Sequence, residues 1–178
     1  KELLLGSVRG ISTQKKFIKT KADMKGVSLK NYKIVKPQYF AYVPDTSRRG
    51  DKISLAYNDT KDSFLVSSIS LVFYVDSKVL DSEYLFIYFN RSEFDRYARF
   101  NSWGSAREAF SWEEMCDIEI ELPPIETQKK YVAIYKAMVE NQKCYERGLD
   151  DLKLTCDAHI EEIRRKNKCI EIKSFMDS

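Results

Sequence analysis

The sequence predicts an α/β (α+β) chain, with a β-rich globular core followed by one long coiled-coil-forming helix. Three observations carry this. Short segments of alternating or β-branched apolar residues recur between turn-forming residues from Asn31 to Val75. Helical pattern replaces them at residues 82–89, where Asp81 or Ser82 can cap the first turn. From Glu126 to about Lys166 there is no proline and a single glycine, Gly148, in a stretch rich in Lys, Glu, Ala and Leu.

In chain order, residues 6–11 read as a short strand or turn, and residues 15–25 as a polar, basic loop that Gly26 ends. Residues 31–35 alternate as a half-buried strand does, and Pro37 closes that run before a second strand at 39–43. Residues 44–50, with Pro, Asp, Ser and Gly, form a turn. Strands follow at 53–57 and 64–75, then helices at 82–89 and 92–97. A loop at 104–107 lies between Trp103 and Trp112, and a last strand at 115–122 turns Ile118, Ile120 and Leu122 inward. Pro123 and Pro124 stop it. Beyond them, steps of four and three residues pick out Tyr131, Tyr135, Met138, Gln142, Tyr145, Leu149, Leu152, Cys156, His159 and Ile163. That is a heptad seam with polar breaks at Gln142 and His159. At ~1.5 Å per residue such a helix is roughly 60 Å long and needs a packing partner outside its own domain. The domain boundaries expected are 1–125 for the globular part, 126–167 for the helix and 168–178 for a tail.

Composition narrows the function classes. With 43% hydrophobic and 13% aromatic residues in 178, the chain can bury a real core, which excludes global disorder. Its longest apolar runs, such as residues 69–75, are too short to span a bilayer, and no signal-like segment opens the chain. A start at Lys1 suggests a piece of a longer reading frame. Cys116, Cys144, Cys156 and Cys169 are widely spaced and read as reduced thiols, with no metal site among them and His159. The net charge of +3 is uneven: residues 1–60 carry +8, residues 61–125 carry −6 and residues 126–178 carry +1. A basic first third suits a polyanion, since neutralising phosphates releases counterions.

Catalytic signatures are missing where they would be expected. Leu122-Pro-Pro-Ile125 has the prolines of an amino-methyltransferase motif but not the asparagine that would hold the target amine. Gly6 and Gly10 lack the spacing and lysine of a phosphate loop. His159 lies on the helix seam, a packed or interfacial position, and Glu113-Glu114 sits in a solvated acidic stretch. The chain is therefore expected not to be an enzyme. Binding signals are stronger: Lys15, Lys16, Lys19, Lys21 and Lys25 fill one stretch, and Arg48, Arg49 and Lys52 sit in or beside a turn. Gly104-Ser105 lets backbone N–H groups approach a ligand and presents Arg107 beside them. Lysines on such loops would hold phosphates, and arginine forks can read guanine edges.

The order of motifs resembles one half of the specificity subunit of type I restriction–modification enzymes. The resemblance rests on Tyr32-Lys-Ile-Val-Lys-Pro-Gln-Tyr-Phe-Ala-Tyr42, Val66-Ser-Ser-Ile-Ser-Leu-Val-Phe73, Glu83-Tyr-Leu-Phe86, Gly104-Ser-Ala-Arg107 and Trp112. Its most specific block is Ile118-Glu-Ile-Glu-Leu-Pro-Pro-Ile-Glu-Thr-Gln128, and together the blocks cover most of residues 27–130. The resemblance implies a target-recognition domain that reads double-stranded DNA, followed by a spacer helix that pairs with a second one. It also implies methyltransferase subunits carrying S-adenosylmethionine and a motor–nuclease subunit using ATP and Mg, with no cofactor on this chain and a prokaryotic cytoplasmic setting. One domain and one helix fit either a fragment of a full subunit or a half-subunit that self-pairs as a homodimer. Two other readings stay open: the recognition end of a fused restriction enzyme–methyltransferase, and a protein-binding scaffold with a helical assembly arm.

Overall fold

The computed structural model describes residues 5–20, 23–47 and 50–167, and its architecture is mixed α+β. Among the described residues, seven short strands form three antiparallel sheets. β1 (Arg9–Ile11) pairs with β2 (Phe17–Lys19), and β3 (Lys33–Val35) pairs with β6 (Phe64–Val66). β4 (Phe40–Val43) is the centre of a three-stranded sheet between β5 (Ser54–Tyr57) and β7 (Leu71–Phe73). All four residues of β4 are buried, so its period-two alternation feeds two cores. Phe40 and Tyr42 join Leu55, Leu85, Phe89, Phe94 and Phe110 in the larger core, packed with the helices. Ala41 and Val43 join Ile11, Val35, Ala56 and Val66 in the smaller one. Fully burying each large side chain contributes about 1.5–3 kcal/mol, so the aromatic face is the main source of stability.

Helix α1 (Ser82–Phe89) begins where the sequence places it, because the Asp81 carboxylate accepts from the backbone N–H groups of Glu83 and Tyr84 at 2.9 and 3.0 Å. Helix α2 runs on to Phe100 (Ser92–Phe100) and buries Phe94, Asp95 and Ala98. A one-turn helix, α3 (Trp112–Cys116), is capped by Ser111, whose hydroxyl accepts from Glu114 N–H at 3.2 Å.

Three expectations need correction. The 15–25 stretch is not all loop: residues 17–19 are β2, with Phe17 opposite Ile11 of β1, and Phe17 packs on Phe64 of β6 with ring centroids 5.5 Å apart. The run 64–75 is two strands, because a turn closed by Ser70 N–H donating to Ser67 C=O at 3.0 Å separates segments with different pairing partners. Residues 115–122 form no strand among the described residues. Ile118 and Ile120 do pack on the core, but Leu122 is exposed. Alternation there reports one buried face, and burial alone supplies no ladder partner.

The chain divides into two compact units, Lys1–Val132 and Ala133–Ser178. Helix α4 (Ile125–Lys166) runs continuously through the division. In the first unit its opening turns are fixed by Gln128, a fully buried side chain. The Gln128 carboxamide oxygen accepts from Asp81 N–H at 2.9 Å, and its Nε2 donates to Val79 C=O at 3.1 Å and Pro123 C=O at 2.8 Å. In the second unit the described side chains are exposed or half-exposed. The helix there is supported along its own surface by pairs such as Glu140–Lys143 (3.7 Å), Asp150–Lys153 (3.7 Å) and Glu161–Arg164 (3.3 Å). Each such pair adds only about 0.2–0.5 kcal/mol.

Candidate nucleic-acid interface

Two loops expected to carry binding residues are joined by backbone pairing. The first, Trp103 to Ala109, is closed by a reciprocal pair: Trp103 N–H donates to Ala109 C=O at 3.1 Å and Ala109 N–H to Trp103 C=O at 3.0 Å. Asp45 bridges to Ala109, Thr46 N–H donates to Glu108 C=O at 3.0 Å, and Phe110 N–H donates to Pro44 C=O at 2.9 Å. The loop is thereby seated on the start of the 44–52 turn. Its tight path needs Gly104, which has φ +142° and where an added Cβ would lie 2.1 Å from the Arg107 carbonyl oxygen.

At the tip, Ser105 and Arg107 are exposed. Arg107 makes no ion pair among the described residues; its neighbour Glu108 pairs with Arg99 of α2. Lys52 is exposed at the far end of the adjoining turn. Arg48 and Arg49 fall outside the described residues, as does Lys21.

Lys15 is a correction. It is buried, its ammonium pairs with the Asp95 carboxylate of α2, and the same ammonium lies 3.5 Å from the Ile53 carbonyl oxygen and 5.2 Å from the Phe94 ring centroid. Asp95 also accepts from Ile53 N–H at 3.1 Å. Burial pushes the Lys15 amine below the ordinary lysine range, against the opposing pull of Asp95, and nearby Lys52 adds to the lowering. A lysine so engaged fastens the β1–β2 turn to α2 and β5 and has no contact to offer a phosphate. Sequence alone could not separate it from Lys16, because its burial goes with an ion pair to a residue 80 positions away; the backbone at Lys15 is left-handed, φ 59°.

Lys16 and Lys19 are exposed, on the β1–β2 turn and on β2, and Lys25 is exposed in a separate turn. The Lys15 contact brings the Lys16 turn beside the strand that follows Lys52. Lys25 is not tied to that group. Sequence reasoning passed over two aromatics beside the Arg107 loop, Trp103 and Phe100, which are 63% and 78% exposed. Their signal was present as large apolar residues just before a Gly-Ser loop, in a position that reads equally well as core.

In the second unit the seam residues Met138, Tyr145, Leu149, Leu152 and Ile163 are all exposed, as is Tyr135. Gln142, Cys156 and His159 are exposed along the same helix, and Tyr131 is exposed in its opening turns. Ile134 and Ile160, not counted in the seam, are exposed as well and widen the apolar stripe. His159 lies 3.8 Å from Glu162. Cys116, Cys144 and Cys156 are free thiols, and Cys169 lies outside the described residues. Among the described residues no cluster of acidic, Cys or His side chains could hold a metal ion, and no helix is long and apolar enough to cross a membrane.

No family model matches the chain, and no curated protein sequence matches it at a significant level.

Proposed function

We propose that this chain binds double-stranded DNA in a sequence-specific way, as the specificity subunit, or one half of it, of a type I restriction–modification complex. The observation that carries the reading is a β-rich body with exposed loop cations, followed in sequence by a 42-residue helix with an exposed apolar seam. Lys16, Lys19 and Lys52 hold phosphates, and Arg107, presented by a backbone-locked loop, reads a base edge or grips a phosphate pair. The α4 seam pairs with a second such helix, where Gln142 and His159 fix the register. This chain performs no chemistry of its own in that scheme. Methyltransferase subunits bring S-adenosylmethionine, and a motor–nuclease subunit brings ATP and Mg.

Iterative selection of bound molecules from a pool of random-sequence duplexes tests the reading. It is expected to enrich a defined base pattern. A pool that keeps its starting base distribution after repeated rounds would contradict sequence-specific recognition.

A further inference from the structure

The exposed aromatics beside the Arg107 loop have no role in the scheme above. Trp103 is 63% exposed although its backbone is the most firmly held part of its loop, paired at both N–H and C=O with Ala109. Phe100, at the end of α2, is 78% exposed. Large aromatic surface in water is unfavourable, at about 25 cal/mol per Å². A flexible loop could carry such a ring away, but the reciprocal Trp103–Ala109 pair and the Gly104 turn fix the backbone from which this exposed ring projects. Binding then has only the indole's own rotamers left to order, and not the loop.

We infer that Trp103 is a stacking residue, whose indole face packs on a base displaced from the duplex stack while Arg107 engages the backbone beside it. Although residues 61–125 carry −6 in all, the exposed cation on the indole's own loop favours nucleic acid over a protein occupant. Arg107 is an exposed cation without an ion pair among the described residues, and Lys52 is exposed at the end of the adjoining turn. A base offers the flat π-face that an indole fits, and its phosphate supplies the anion for the guanidinium. Inserted or stacked aromatic and apolar side chains work in this way in proteins that kink or open duplexes. The inference rests on the DNA-binding reading and adds a local opening of the duplex at this loop.

The test compares a fully paired duplex with the same duplex carrying one extra, unpaired thymine. Both present nearly the same phosphates, so a preference between them isolates stacking from charge. The wild-type chain is expected to bind the bulged duplex about tenfold more tightly, which is ~1.4 kcal/mol, because the unpaired base is free to stack. Trp103→Leu should abolish that preference, and Trp103→Phe should keep part of it. In a Trp112→Phe background, Trp103 emission should be quenched on binding the bulged duplex. Salt-dependent binding of both duplexes with no preference and unchanged Trp103 emission would overturn this inference and leave the DNA reading standing. Binding to neither duplex would overturn both. Loss of self-association in Trp103→Leu, with unchanged duplex preference, would place the indole in a protein interface instead.

Discussion

Lys15 and Lys16 are neighbours in sequence with opposite environments, and the difference predicts opposite mutant behaviour. Lys15 is paired with Asp95 inside the domain, whereas Lys16 stands in solvent. Removing one partner of a buried pair leaves the other charge unpaired and costs several kcal/mol. Lys15→Met and Asp95→Asn should therefore each destabilise the fold by roughly 3 kcal/mol, read as a lowered thermal midpoint. At a temperature where the variant is folded, Lys15→Met should leave the salt dependence of duplex binding unchanged. Lys16→Ala should do the reverse, with stability kept and the slope reduced. A fall in slope for Lys15→Met would return that lysine to the interface. The distinction was illegible in the sequence, where both residues belong to one run of lysines. The contact that separates them joins positions 80 residues apart.

At the scale of elements, the opening turns of α4 are held by buried Gln128 and Val132, and the polar part of that hold lies on Gln128 alone of the two. Gln128 accepts one hydrogen bond and donates two, so an amide is required there and a carboxylate is not equivalent. Gln128→Ala leaves Asp81 N–H and two carbonyls without that partner and should cost about 2–4 kcal/mol. Gln128→Glu keeps the shape but sets a carboxylate oxygen against the Val79 and Pro123 carbonyls, so it should be at least as damaging. Denaturant unfolding of the two variants checks this, and a Glu variant as stable as wild type would refute the assigned bonds. Much of this level was legible. Asp81 as a cap, the central strands and the start of α4 after Pro123-Pro124 follow from local chemistry that needs no distant partner. The errors came where pairing decides. The split of β6 from β7 depends on which strand each meets, and the irregular 117–124 segment has inward isoleucines without a strand to pair with. The Trp103–Ala109 loop was visible as a Gly-Ser loop. Its seating on the 44–47 segment was not, because it is made by backbone groups, which carry no sequence signal.

On the whole-molecule scale the two units have different unmet needs. The first exposes cations on loops held by rigid pairing, and the second exposes an apolar stripe along a helix about 63 Å long at ~1.5 Å per residue. In the proposed function a polyanion covers the first and a second helix covers the second. The charge distribution of the sequence pointed to the former and the heptad spacing to the latter. The central claim is that the first unit neutralises DNA phosphates, and counterion release gives it a quantitative signature. The measurement is the affinity of the full chain for random-sequence duplex between about 50 and 200 mM salt, beside that of Lys52→Ala, an exposed lysine assigned to phosphate. The expected result is a linear fall of log affinity with log salt, at roughly −0.9 per phosphate neutralised, with a slope shallower by about one in the variant. An affinity that does not change with salt would contradict the claim.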